Sequence, residues 1–266
     1  MLDSHLCQNP MPKLLDSIPT SLLGLPNPPK RLFYCGDTSL LCAPIKIAIV
    51  GTRRPNPYTK QFCAILSAQI AKAGGVVVSG GALGVDIIAH SAALPRTIMV
   101  SPSSLEIIYP KANKAIIQAM MTQSLVLSEY ERDYMPQAYS FLERNRLVVG
   151  LSDIVIIPQA DLESGSMQSA RLSKQSHKPL FVLPHRINES LGTQSLLARQ
   201  QAQCIYDVQE FIAQIFGTQK EVCDEVLEFC KHAPRYEEAV QKFGERIFQY
   251  EIEGKIVREN GVVRIC

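Results

Sequence analysis

The chain has 266 residues, 46% of them hydrophobic, so it can bury a large core and still leave room for a second small module. The N-terminus lacks a basic region followed by an apolar stretch, and no run approaches the roughly eighteen apolar residues of a membrane span, so we expect no membrane contact. Its eight cysteines form no C-x-x-C pair, which argues against a zinc site and favours reduced thiols in a cytoplasmic protein.

The formal net charge of +2 at pH 7 is unevenly distributed along the chain. Residues 220–266 contain 8 Lys and Arg against 10 Asp and Glu, whereas the remaining residues contain 19 against 15. The long N-terminal part is therefore net positive and the C-terminal part net negative. If the protein binds a polyanion, electrostatics favour the N-terminal part.

The first 45 residues differ in composition from the rest of the chain. Residues 1–45 are rich in Pro and Leu, and prolines 26, 28 and 29 exclude a helix around them. We expect this stretch to be a lead-in segment that packs on the domain after it.

From residue 46 onward, apolar strands alternate with segments of helical period such as Tyr58–Lys72. Strands are predicted at 46–50, 76–79, 97–101, 125–129, 154–158 and 180–184, with a weaker seventh at 204–206. Continuous apolar strands indicate burial on both faces, which is typical of a mostly parallel sheet with helices on both faces. The predicted fold class is therefore α/β, in one domain over residues 46–217. Ligands of such sheets bind beyond the carboxyl ends of the strands.

The strand–helix alternation ends near residue 217. Helical stretches come next at Val222–Lys231 and Tyr236–Tyr250, and Asn260-Gly261 is a strong hairpin signal. Helices followed by a hairpin predict a small winged-helix-like domain over residues 220–266. Because this segment is net acidic, we favour a protein contact or a structural role for it over DNA binding.

Two strands run directly into glycine turns, Gly51-Thr52-Arg53 and Ser79-Gly80-Gly81. A strand that ends in glycine before a helix lets backbone N–H groups point at an anion. Neither turn has the G-x-G-x-x-G or P-loop pattern, so we expect no nucleotide cofactor. One interpretation of Arg53 is a solvated charge, and the other is a guanidinium that grips a phosphate held by the turn.

Two later segments add candidate ligand contacts. The run Phe141-Leu142-Glu143-Arg144-Asn145-Arg146 opens a helix and combines a ring with phosphate-binding side chains, as in single-strand binders. Alternatively, Phe141 is a core residue and one arginine pairs with Asp153. Ser164-Gly165-Ser166 begins another helix and can form an anion nest or hydrogen-bond a base.

Asp86 and His90 are four residues apart on one predicted helix face. A carboxylate that orients an imidazole is a general-base arrangement, but it is also an ordinary first-turn acid with a histidine neighbour. We favour the structural interpretation, because neither a nucleophile nor a metal cluster accompanies the pair, and we expect no metal site and no catalysis.

Taken together in this order, these segments resemble the DNA-processing protein A (DprA/Smf) family over roughly residues 18–207. The resemblance rests on Gly51-Thr52-Arg53, Ser79–Asp86 with Ala89-His90, Tyr109-Pro110-Lys111 with Asn113, Ser128-Glu129-Tyr130, Phe141 with Arg144-Asn145-Arg146, and Ser164-Gly165-Ser166. It implies an extended Rossmann-like fold that forms a homodimer, binds single-stranded DNA and helps load the RecA recombinase during natural transformation.

The resemblance also implies roles for individual residues. Arg53 would be the main phosphate contact, and the other implied DNA contacts are Gly51, Thr52, Ser79, Gly80, Gly81, Phe141, Arg144, Asn145, Arg146, Ser164, Gly165 and Ser166. The chain departs from the family pattern at Gln159-Ala160, where Glu-Ala is usual, and at Pro184-His185, where Pro-Gly is usual.

Two other classes of function remain open on the sequence alone. The first is a nucleotide-processing enzyme of the phosphoribohydrolase type, which shares a Gly-Gly turn but carries a P-G-G-x-G-T-x-x-E motif with a catalytic glutamate. The nearest stretch here, Ser79–Asp86, lacks that glutamate. The second is an interaction scaffold whose turns bind nothing.

Overall fold

The computed structural model describes residues 10–217 and 225–265, and the chain divides into two compact units between Ile215 and Phe216. No helix within these described residues is long and apolar enough to cross a bilayer.

The first unit is built on one nine-stranded sheet. Its strands are β1 (Lys13–Leu14), β2 (Phe33–Gly36), β3 (Lys46–Ile49), β4 (Val76–Ser79), β5 (Thr97–Val100), β6 (Leu125–Ser128), β7 (Ile154–Ile157), β8 (Leu180–Val182) and β9 (Gln203–Cys204). They lie in the order β1-β2-β6-β5-β4-β3-β7-β8-β9. The seven strands from β3 to β9 are mutually parallel, whereas β1 and β2 form an antiparallel extension beside β6.

All seven predicted strands are present, including the weaker one near residue 204. The prediction missed β1 and β2, because they lie in the proline-rich lead-in, outside the regular alternation of strands and helices that begins at residue 46. Tyr34 of β2 pairs with Leu127 of β6, so part of the lead-in completes the sheet edge. The mostly parallel α/β architecture is confirmed.

Helices cover both faces of this sheet. They are α1 (Thr20–Leu23), α2 (Pro57–Lys72), α3 (Val85–Ala93), α4 (Lys114–Gln123), α5 (Ala138–Leu151), α6 (Gly165–Gln175), α7 (Leu191–Ala198) and α8 (Val208–Phe216). Alternate strand residues point to opposite faces. On one face, Val78 and Val155 share a core with Leu147 of α5. On the other, Met99 and Val126 pack with Met120 of α4.

The second unit contains three helices and a hairpin. The helices are α9 (Glu225–Cys230), α10 (Tyr236–Phe243) and α11 (Glu245–Ile252), and the hairpin pairs β10 (Ile256–Glu259) with β11 (Val262–Ile265). The predicted hairpin turn is confirmed, with positive φ at Asn260 and Gly261. This order of elements agrees with the winged-helix assignment, which stays a prediction.

Two helical predictions for this unit need correction or restriction. The predicted helix Tyr236–Tyr250 is interrupted at Gly244, whose φ of +58° is a left-handed conformation that breaks an α-helix. The start of the other predicted helix, at residues 222–224, lies outside the described residues. The three helices and the hairpin share a core that includes Val226, Ile247 and Val263.

Gly36 lets the lead-in fit against β6, which gives a test of the antiparallel extension. Its φ is +103°, and a Cβ there would lie 2.0 Å from the carbonyl oxygen of Ser124. We expect Gly36→Ala to lower the free energy of unfolding by about 2 to 4 kcal/mol, measured by urea denaturation. The matched control is Gly24→Ala, because Gly24 has a φ of −80° and open space around its Cβ position. Equal denaturation midpoints for the two variants would contradict this account of the edge.

Candidate functional site

A cleft of about 530 Å³ opens at the carboxyl edge of the parallel strands. We call it the Arg53 cleft; it lies between the loop after β3 and the N-terminal parts of α5 and α6. The predicted site residues that line it are Gly51, Thr52, Arg53, Phe141, Arg144, Asn145, Ser164, Gly165 and Ser166. The structure therefore brings together residues from three separate segments of the chain.

The other four predicted contacts do not line the cleft. Ser79 is buried and donates its hydroxyl to the carbonyl of Ile49. Gly80 and Gly81 are also buried. Arg146 donates from one nitrogen to both carboxylate oxygens of Glu129 at 2.7 Å. The direct DNA contact that the resemblance implies for these four residues is therefore not supported by the geometry of the cleft and stays a prediction.

A buried charge pair lies beneath the cleft. Asp86 and Arg144 are 5% and 4% exposed, and Arg144 donates to the carbonyl of Val100 at 2.9 Å. The carboxylate of Asp86 accepts hydrogen bonds from the backbone N–H groups of Gly51, Gly80 and Ala82. Burial raises the pKa of Asp86, and the adjacent guanidinium and the three N–H groups oppose that rise. The anion held by the glycine turns is therefore an internal carboxylate.

This pair also explains why Gly80 has no side chain. A Cβ at that position would lie 1.4 Å from a guanidinium nitrogen of Arg144. Burial lowers the pKa of Arg144, while Asp86 raises it. Asp86 thus compensates the guanidinium charge, which has few other partners at that depth.

The mouth of the cleft carries an exposed cation and an aromatic ring. The guanidinium carbon of Arg53 lies 5.5 Å from the centroid of the Phe141 ring, which is within the range of a cation–π contact. The Phe141 ring in turn meets Tyr109 edge-on, with centroids 5.5 Å apart. Arg54, the next cation, is exposed but does not line the cleft. Only the first of the adjacent arginines is thus placed at the cleft.

Gln159 anchors the loop that carries Arg53. Its carbonyl accepts from the N–H of Thr52 at 2.9 Å, and its side-chain oxygen accepts from the N–H of Asn56 at 3.0 Å. A glutamine at this position, where the resemblance predicts glutamate, therefore supplies the acceptor that the loop needs without adding a negative charge beside Arg53.

Small hydroxyl side chains form the α6 side of the cleft. Ser166 and Ser169 are both buried and line it. The buried hydroxyl of Ser169 has no hydrogen-bond partner among the described residues. Ser166 is among the individually predicted contacts and Ser169 is not, although a spacing of three places both on the same face of a helix.

Asp86 and His90 do not form a general-base pair. The hydroxyl of Thr97 donates to the carbonyl of Val77, so it must accept from the Nδ1–H of His90, which lies 2.7 Å away. His90 is fully buried and does not line the cleft. Burial, with a smaller contribution from Arg144, lowers its pKa to about 3. Elsewhere, no three His, Cys, Asp or Glu side chains of the described chain are grouped so as to hold a metal ion.

The low pKa of His90 predicts a pH-dependent stability. On acidification, the His90 ring of the unfolded chain takes up a proton near its pKa of 6.5. The buried ring of the folded protein stays neutral until about pH 3. The stabilisation is therefore complete above pH 6.5 and is lost as the pH falls below it. We expect the free energy of unfolding to fall by about 2 kcal/mol between pH 7.5 and 5 because of this group. Urea denaturation across this range measures the change.

The control for this test is His90→Gln, whose uncharged amide can still donate to Thr97. This variant should lack the additional loss of stability at acidic pH. Parallel pH profiles for the two proteins would contradict the buried neutral state of His90.

The chain is similar to known proteins over most of its first unit. The model of the family DNA recombination-mediator protein A matches residues 12–216. The chain is 33% identical over 211 residues to DNA processing protein DprA of Bacillus subtilis, covering 78% of this chain and 71% of that protein. It is 34% identical over 200 residues to DprA of Streptococcus pneumoniae, covering 71% and 70%.

Solved structures give the same relationship. DNA processing protein A from Helicobacter pylori, solved to describe its single-stranded DNA binding mode, is 57% identical with a TM-score of 0.76, covering 77% of this chain and 95% of that one. The X-ray structure of DprA from Streptococcus pneumoniae is 32% identical with a TM-score of 0.68, covering 74% and 70%. The Rossmann-like fold expected from the motifs is thereby confirmed. The chain belongs to the DNA processing protein A (DprA/Smf) family.

Proposed function

We propose that the Arg53 cleft binds single-stranded DNA and that the protein is a recombination mediator without catalytic activity. The observation that carries this proposal is the exposed guanidinium of Arg53 over the Phe141 ring, at the mouth of a cleft that contains an unpartnered hydroxyl. Single-strand binders combine cations that contact phosphates with rings on which bases stack.

The electrostatics of the cleft support a polyanionic ligand. The buried carboxylate of Asp86 is compensated by Arg144 and by backbone N–H groups. The guanidinium of Arg53 then provides the exposed positive charge of the cleft lining. A phosphate can accept a forked hydrogen bond from this guanidinium while the neighbouring base lies against Phe141.

The proposed preference for single-stranded DNA follows from base stacking on the Phe141 ring. A base can stack on Phe141 or hydrogen-bond Ser166 and Ser169 only if it is not paired and stacked within a duplex. Support also comes from the H. pylori relative, whose single-stranded DNA binding mode has been described.

The phosphoribohydrolase alternative is not favoured by this site. The carboxylate among the described lining residues of the cleft is Asp86, which is 5% exposed and is engaged by three backbone N–H groups. A carboxylate so enclosed is poorly placed to attack or protonate a nucleotide.

Arg53→Ala tests the main phosphate contact. A charge-assisted hydrogen bond contributes about 1.5 to 3 kcal/mol, so we expect affinity for an oligothymidylate to fall roughly 10- to 100-fold. Fluorescence anisotropy at fixed salt measures the change, and the wild-type protein should bind single strands more tightly than duplex. The matched control is Arg54→Ala, which removes an adjacent exposed guanidinium that does not line the cleft.

Two results would overturn the proposal. One is equal affinity of the wild-type protein for single-stranded and duplex DNA. The other is an equal loss of affinity in the two arginine variants, which would indicate a diffuse charge effect instead of a placed contact.

We further propose that the protein acts in the cytoplasm as a homodimer that protects incoming DNA and loads RecA on it during natural transformation. Membership of a recombination-mediator family supports this role. We expect the protein to accelerate RecA filament formation on single strands covered by single-strand-binding protein, and Arg53→Ala to reduce the effect. RecA nucleation that is unchanged by the wild-type protein would contradict the mediator role.

A further inference from the structure

We propose that the nucleic-acid path continues from the Arg53 cleft along α6 to a basic pocket at Arg171, Lys174 and Arg199, where these side chains contact further phosphates. This inference rests on the proposed function, because it extends the path of the same single strand.

The basic pocket is a cavity of about 370 Å³ formed by side chains of α6 and the end of α7. A connecting cavity of about 550 Å³ lies between it and the cleft. The connecting cavity shares Ser164 and Gly165 with the cleft and shares Leu162 and Arg171 with the basic pocket. The three cavities therefore lie next to one another around α6, each sharing lining residues with the next, and we take them as the path of one strand.

The cations of the basic pocket are available to a ligand. Arg171, Lys174 and Arg199 are exposed, and none of them makes an ion pair or donates a side-chain hydrogen bond within the described chain. By contrast, Arg146 is paired with Glu129, and Lys178 donates to three backbone carbonyls. The three cations of the basic pocket are therefore not neutralised within the described part of the unit, unlike Arg146 and Lys178.

The charge of this path favours a polyanion along its length. The lining of the basic pocket contains three cations and no carboxylate among the described residues. The connecting cavity adds one acidic side chain, Glu163, and its one cation is Arg171, which also lines the basic pocket. Three unpaired positive charges in one pocket match a chain of phosphates better than they match a single small anion.

The surface between the two ends is apolar, as a path for bases requires. Leu142, 44% exposed, lines both the cleft and the connecting cavity, and Leu162, 49% exposed, lines both the connecting cavity and the basic pocket. Unpaired bases have apolar faces that can lie on such side chains.

The dimensions make the proposal dependent on the length of the DNA. The ten residue-to-residue steps from Ser164 to Lys174 span about 15 Å along the helix axis at 1.5 Å each. This distance corresponds to about four nucleotides at 3.4 Å per phosphate, or fewer in a stretched strand. A very short oligonucleotide should therefore fill the Arg53 cleft alone, and a longer one should reach the basic pocket.

The test is the double variant Arg171→Gln/Lys174→Gln, with binding measured by fluorescence anisotropy over a series of salt concentrations. For an oligothymidylate of about twenty nucleotides, the loss of two phosphate contacts should weaken binding roughly 20-fold at 0.1 M salt and lower the salt slope by about 1.4. For an oligothymidylate of about three nucleotides, affinity should be unchanged. Arg199→Gln alone should show the same length dependence with about half the change in slope.

The matched control is Lys13→Gln/Lys72→Gln, which removes two exposed charges that line neither the cleft, the connecting cavity nor the basic pocket. An equal effect of this control would overturn the proposal, as would unchanged binding of the long oligonucleotide to Arg171→Gln/Lys174→Gln. Both results leave the Arg53 cleft intact as a binding site. Failure of the wild-type protein to bind any single strand would instead overturn the proposed function itself.

Discussion

Asp86 accepts hydrogen bonds from the backbone of both glycine turns, and the geometry of the cleft depends on this interaction. The carboxylate joins the loop after β3 to the loop after β4, and it balances the buried guanidinium of Arg144 on α5. Hydrogen bonds to a carboxylate, which are stronger than neutral ones, thus tie the two loops together, and the charge of Asp86 attracts the guanidinium of Arg144 on α5. Arg144 in turn reaches the carbonyl of Val100 at the end of β5, so the carboxyl ends of three neighbouring strands share one network.

The charges that stabilise the fold are therefore different from the charge that is exposed to a ligand. A buried ion requires compensation, so Asp86 and Arg144 satisfy one another and contribute little net field at the cleft mouth. Arg53 lies outside the network, on a loop held by Gln159 through backbone and side-chain acceptors. The loop therefore holds Arg53 in place without neutralising its charge. A side chain that binds phosphate needs both properties.

The sheet could be predicted from the sequence because each central strand is an apolar run buried on both faces. The antiparallel strands β1 and β2 could not be predicted, since their place depends on pairing with β6, which is distant in sequence. For the site, the sequence identified which segments of the chain contribute to the cleft, but not which side chains of each segment face it. Arg144 and Arg146 differ by two positions on one helix, and only the fold shows that one is buried beside Asp86 and the other is paired with Glu129. The sequence also could not show that the N–H groups of the glycine turns donate to Asp86, because a motif does not reveal which acceptor its N–H groups contact.

The position of β3 at the centre of the seven parallel strands has a consequence for folding during synthesis. This strand lies between β4 and β7, and the N–H of Lys46 donates to the side chain of Asp153, 107 positions later. A chain still growing on the ribosome can pair β3 with β4 early, but it holds Asp86 without Arg144 until α5 has emerged. Contacts so distant in sequence form late, because the loop that separates them must close first. The cleft is therefore completed near the end of the synthesis of the first unit, and the nascent chain acquires it only after most of its sheet is in place.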